Sequence, residues 1–95
     1  MLHMIIVKAN ESAPSREEFI RCAEEAFRPV TDIPGVHGVR VRRGLPLAEN
    51  RYDFIVEIDM EKESLSAYNE SAAHKTWKEN YGGWIAKKAI FDCEE

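Results

Sequence analysis

Hydrophobic and polar positions along the chain alternate with two different periods, and the switches between them outline the elements. Leu2 to Lys8 (LHMIIVK) is a run with three consecutive β-branched residues and no breaker, which predicts a first strand. It is apolar on both parities, so both of its faces are expected to be covered. Ser15 with Glu18 three residues on forms a capping-box pattern and opens a helix. Phe19, Ala23, Ala26, Phe27 and Val30 then recur at three- and four-residue steps as one apolar stripe, and Pro29 places the helix end near Arg28. Ile33-Pro34-Gly35-Val36 is a turn. From Val36 to Arg43, Val39 and Val41 alternate with Arg40 and Arg42, the pattern of a half-exposed strand. Gly44 to Asn50 reads as a loop. Tyr52, Phe54, Val56, Ile58 and Met60 share one parity of the clearest strand, against Asp53, Glu57 and Asp59 on the other. In the second helical region Leu65 and Tyr68 are three apart and Ala73 and Trp77 four apart, with a break or kink expected near Ser71. Gly82-Gly83 ends that region, and Lys88 to Asp92 is a short closing strand.

The order β-α-β-β-α-β predicts an α+β, ferredoxin-like split βαβ fold: one antiparallel four-stranded sheet with helices on one face. The other sheet face is exposed in a monomer. A first strand apolar on both parities makes that exposure costly, so a homodimer joined through the sheet faces is expected.

Length and charge narrow the function classes. The chain has 95 residues, read as a single domain over 1–95. Its formal net charge of −4 disfavours nucleic acid as a partner. Arg40, Arg42, Arg43 and Arg51 are a local exception, read as a solvated strand end before an anion site. No apolar run is long enough to predict a membrane span. No signal-peptide pattern is seen, and Cys22 and Cys93 lack metal spacing; two free thiols suit a reducing cytoplasm, the expected location. The three histidines make a poor metal set, and no phosphate loop or dinucleotide fingerprint is present, so neither a metal nor an organic cofactor is expected.

The sharpest constellation is Tyr68 with His74. A neutral imidazole can abstract a proton beside a carbonyl near neutral pH, and a phenol can hydrogen-bond the enolate oxygen that forms. On a continuous helix the two would occupy different faces; a break near Ser71 lets them converge. In the opposing reading His74 bonds backbone and orders the kink while Tyr68 packs in the core. His3 lies on the first strand with Ile5 and Val7, as a core or interface residue or as a third member of the pocket. Phe54, Val56 and Trp77, with other aromatics at regular spacing, read either as plain core or as pocket lining. His37 follows the Pro-Gly turn and receives no role.

In order along the chain, LHMIIVKAN, IPGVHGVRVRRGL, YDFIVEIDMEKESLSAY, the Tyr68–His74–Trp77 segment and AIFDCE resemble the successive segments of the stress-responsive dimeric α/β-barrel (Dabb) family. The resemblance covers nearly the whole chain. It implies a homodimer whose two sheets close into a barrel. Most members of that family have no established activity. One plant branch, olivetolic acid cyclase, cyclises a polyketide without metal or organic cofactor through a tyrosine and a histidine that match Tyr68 and His74. A further pocket histidine matches His3. This chain has Phe54 where that branch has another pocket histidine, and Ser71-Ala72 where the family often has His-Pro. Three functions are therefore expected in turn. The first is a dimeric barrel that binds a small apolar or carbonyl-containing molecule or serves in stress response. The second is a cofactor-independent cyclase, isomerase or lyase. The third, by fold analogy, is a small monooxygenase of the antibiotic-biosynthesis type.

Overall fold

Parity along the strands decides which face of the sheet each side chain takes. A computed structural model describes residues 1–94, and in it strands β1 (Leu2–Ala9), β2 (Val36–Arg43), β3 (Phe54–Met60) and β4 (Ile85–Cys93) form one antiparallel sheet in the order β2-β3-β1-β4. The two most apolar strands, β1 and β3, occupy the centre. Each crossover carries helix: α1 (Arg16–Phe27) links β1 to β2, and α2 (Leu65–Asn69) with α3 (Ala72–Tyr81) links β3 to β4. This is the expected ferredoxin-like split βαβ, with the helices on one face of the sheet.

Helix α1 starts where its cap allows. Ser15 Oγ accepts from the Glu18 backbone N–H at 3.2 Å, satisfying one of the orphan donors of the first turn. The Glu18 carboxylate pairs with Arg21. Beyond Phe27 the chain tightens into a 3-10 turn over Arg28–Asp32 with Pro29 at its start.

One face of the sheet is sealed. His3, Ile5 and Val7 of β1 and Phe54, Val56, Ile58 and Met60 of β3 are buried against Phe19, Ala23 and Phe27 of α1, Tyr68 of α2 and Trp77 of α3. Phe19 meets Phe54 edge-on at 5.0 Å between centroids, and Phe27 lies 4.9 Å from Trp77, both within the favourable range for aromatic pairs. The opposite parity carries Leu2, Met4 and Ile6, flanked in register by Ile55 on β3 and by Ala89 and Phe91 on β4. Among the described residues no helix packs on that face, and Phe91 remains 55% exposed. Both parities of β1 were expected to be covered; within one chain only His3, Ile5 and Val7 are.

Two strand starts differ from expectation, while the expected break near Ser71 is present. Strand β3 begins at Phe54 instead of Tyr52; just before it, Asp53 N–H donates to the Val7 carbonyl at 2.8 Å and the Asp53 side chain accepts from Ala9 N–H at 2.7 Å. Strand β4 begins at Ile85 instead of Lys88, directly after a 3-10 turn at Gly82–Trp84. The second helical region is two helices, separated at Glu70 and Ser71. No helix among the described residues is long and apolar enough to cross a membrane.

The turn before β2 is fastened to the start of α2. Gly35 has φ of +87°, and a Cβ there would lie 2.1 Å from Ser64 Oγ. Ser64 donates to the Pro34 carbonyl at 2.7 Å, and Glu61 N–H to the Gly35 carbonyl at 2.9 Å. Gly35→Ala is expected to cost about 1–3 kcal/mol from the left-handed backbone alone, with further loss from the clash. Urea denaturation should show a lower midpoint at unchanged slope; an unchanged midpoint would contradict this.

Candidate functional site

A helix carried straight through residues 65–81 would set Tyr68 and His74 about 120° apart around its axis. Ser71 prevents this. Its backbone is extended (φ −69°, ψ 153°), so α2 stops and α3 restarts. Its hydroxyl donates to the Tyr68 carbonyl at 2.6 Å and accepts from the His74 N–H at 3.2 Å, closing one helix and capping the next. The Tyr68 and His74 rings consequently lie 4.9 Å apart between centroids. From below, His3 on the inner parity of β1 meets the other side of Tyr68 at 5.3 Å. The structure thus brings His3, Tyr68 and His74 together.

These three line a cavity of about 370 Å³ between the β1–β4 half of the sheet and the helices α2 and α3. Ile5, Leu65, Trp77 and Ile90 supply apolar wall, and Asn69, Lys78, Lys88 and Asp92 supply the remaining polar groups. Trp77 lies on the wall of this cavity and is also part of the core. Phe54 and Val56 are not where they were expected: both are sealed in the core, and neither lines this cavity. The reason is strand order. Strand β3 lies on the side of β1 away from β4, so its inner residues face the packed half of the sheet, where Phe54 meets Phe19 of α1.

Asp92 was not anticipated. It stands opposite His3 in the β1–β4 register, and its Oδ1 lies 2.5 Å from His3 Nδ1. A carboxylate there accepts from Nδ1–H and fixes the imidazole's orientation, leaving Nε2 as its second polar atom. The only signal for it in the sequence is that Lys88, Ile90 and Asp92 share a parity on the closing strand; nothing local says which strand lies beside them.

The electrostatics separate the two aromatic members. The Tyr68 hydroxyl is buried and finds no hydrogen-bond partner among the described residues. Burial pushes its pKa well above that of an ordinary phenol, so it stays protonated and able to donate. His74 donates Nδ1–H to the Asn69 carbonyl at 3.1 Å, which leaves the basic lone pair on Nε2. Its pKa is lowered, first by burial and then by the charges of Lys78, Lys88 and His3, while the Asn69 carbonyl opposes the shift. At neutral pH it is an uncharged imidazole with a free basic nitrogen.

The remaining candidates lie apart. His37 pairs with Glu61 at 2.7 Å on the surface. Arg42 pairs with Glu57 at 2.5 Å and Arg43 with Glu17 at 2.6 Å, so two members of the arginine cluster are already engaged. Among the described residues no three His, Cys, Asp or Glu side chains are grouped so as to hold a metal ion. Cys22 and Cys93 are free and half-buried.

The chain matches no family model and no curated protein sequence. Solved structures do match. A dimeric ferredoxin-like protein of unknown function from Thermobifida fusca is 21% identical, with 95% of this chain and 85% of that one covered and a TM-score of 0.76. A dimeric protein of unknown function with a ferredoxin-like fold from Bacteroides fragilis is 13% identical, covering 99% and 94%, with a TM-score of 0.79. A Dabb family protein with a ferredoxin-like fold from Mesorhizobium loti is 16% identical, covering 99% and 94%, with a TM-score of 0.71. At these identities the likeness establishes the fold.

The lowered pKa of His74 has a measurable consequence. Its value in the unfolded chain is the ordinary 6.5 and the folded value lies below it. Protonation therefore favours unfolding: the group's contribution to stability is complete above 6.5 and is lost as pH falls through the folded value. An NMR titration should place the His74 imidazole below 6.5, and Lys88→Ala should raise it. A value at or above 6.5 would contradict the assigned environment.

Proposed function

We propose that the protein is a homodimeric barrel that admits a small carbonyl compound beneath α2 and α3 and moves a proton beside the carbonyl with its own side chains. The buried, unpartnered hydroxyl of Tyr68 carries this reading. A buried donor without an acceptor costs about 1–3 kcal/mol, and a ligand carbonyl entering the cavity would remove that cost. The Tyr68 ring lies 5.3 Å from the His3 ring and 4.9 Å from the His74 ring between centroids, which puts two imidazoles next to the phenol.

The chemistry follows from those positions. His74 Nε2 takes a proton from the carbon next to the carbonyl. The C–H electron pair forms the C=C bond, the carbonyl π pair moves to oxygen, and the Tyr68 O–H stabilises the enolate. With a β,γ-unsaturated ketone the imidazolium returns the proton to the γ-carbon of the dienolate, which is isomerisation; otherwise the enolate α-carbon attacks a second carbonyl and the imidazolium protonates the alkoxide that forms, which is cyclisation. His3, held by Asp92 and lining the same cavity, is a second imidazole beside Tyr68. The Dabb resemblance supports the same pair, Tyr68 and His74.

The dimer rests on the uncovered sheet face. Leu2, Met4, Ile6, Ile55 and Phe91 form an apolar band flanked by the Arg42–Glu57 pair. A second copy of the same face covers it, burying apolar area and setting paired charges at the rim. Two of the structurally similar proteins are described as dimeric. Ile6→Glu with Phe91→Glu is expected to give a monomer in analytical ultracentrifugation at concentrations where the parent chain is a dimer. A parent chain that sediments as a monomer would contradict the dimer.

Proton transfer is tested by following hydrogen–deuterium exchange at the α-carbons of 2-hexanone and cyclohexanone in D₂O by NMR. The parent protein should accelerate exchange above buffer. His74→Ala should remove the acceleration, and Tyr68→Phe should reduce it by about 10²-fold. Exchange at the buffer rate with the parent protein, or an unaffected His74→Ala variant, would overturn the reading.

A further inference from the structure

We infer that Lys78 and Lys88 form a carboxylate-binding rim, so that the ligand is an oxo acid: a small monoanion with its carbonyl a few carbons from its carboxylate. This rests on the carbonyl-binding reading of the same cavity and adds the ligand's charged end.

The two lysines come from opposite walls. Lys78 lies on α3 four residues after His74, one turn along the same helix face. Lys88 lies on β4, on the parity of Ile90 and Asp92, which faces the helices. Both line the cavity. Lys62 pairs with Glu94, and Arg21, Arg42 and Arg43 each have a carboxylate partner. Lys78 and Lys88 have none among the described residues; Lys75 and Lys87 also lack one, and what sets Lys78 and Lys88 apart is that both line the cavity. Both charges are felt at His74.

The cavity's own carboxylate is placed away from them. Asp92 is engaged by His3 and lies four residues beyond Lys88 on the strand, about 13 Å at the usual rise. The strand wall is therefore polarised, with the Lys88 ammonium and the Asp92 carboxylate four residues apart, and the unpartnered Tyr68 hydroxyl belongs to the same cavity. Two ammoniums against one carboxylate leave a single positive excess, which suits a monoanion. An oxo acid satisfies both ends, with its carboxylate at the lysines and its carbonyl oxygen at Tyr68. Its orientation is fixed, because the reverse pose would bring the anion to Asp92.

The test uses matched pairs differing only in charge: 4-oxohexanoate and 5-oxohexanoate against their methyl esters, titrated into the intact protein while the His74 ring signals are followed by NMR. At low salt one of the acids should bind about tenfold more tightly than its ester, and the preference should fall as salt is raised. Lys78→Gln and Lys88→Gln should each reduce the preference, and together abolish it, with ester affinity unchanged. Equal binding of acid and ester, or a preference that survives both substitutions, overturns the rim while leaving the carbonyl pocket standing. Failure of acids and esters alike to perturb His74 overturns both.

Discussion

The hydroxyl of Ser71 makes two hydrogen bonds in opposite directions along the chain, and the site depends on them. One ends α2 at the Tyr68 carbonyl and the other begins α3 at the His74 amide. Without that break, the residues that meet over the cavity would point to different sides of one helix. With it, Tyr68 is driven into the core against His3 while His74 remains half-buried at the cavity wall. The two bonds are short-range and local, yet they set the relation between a core phenol and a titratable base.

The sheet supplies the other half of the arrangement. The inner face of β3 is fully buried through Phe54, Val56, Ile58 and Met60, with Phe54 against Phe19 of α1. The sheet's β1–β4 side is covered only by the short, broken second helical segment, so Ile90 stays exposed and a cavity remains. One fold thus separates a region that holds the protein together from a region that leaves room for a ligand. Stability and function meet at Tyr68: its ring contributes to the core, and its hydroxyl is the one buried side-chain polar atom left unpartnered among the described residues.

Most of the fold was legible because strand parity and helix stripe are local properties. The alternation of Tyr52 to Met60, the stripe from Phe19 to Val30 and the cap at Ser15 each declare an element within a short window. The site was legible only in part. Tyr68 and His74 stood out through their chemistry and the Dabb resemblance, and their convergence hung on Ser71, whose capping role becomes visible only with the backbone. Phe54 and Val56 were expected at the pocket because parity reports the face of a sheet and is silent on which half of that face a strand occupies. Asp92 was missed for a related reason: its partnership with His3 is a matter of register between strands almost a whole chain apart.

On the proposed reading the Tyr68 hydroxyl is held for the oxygen of a ligand's carbonyl. Infrared difference spectroscopy of bound 2-hexanone carrying a ¹³C-labelled carbonyl reads that contact. The expected result is a carbonyl stretch moved to lower frequency on binding, with the shift lost in Tyr68→Phe while the ketone still binds. A bound carbonyl that absorbs as it does in an apolar solvent, or a shift that persists in Tyr68→Phe, would contradict it.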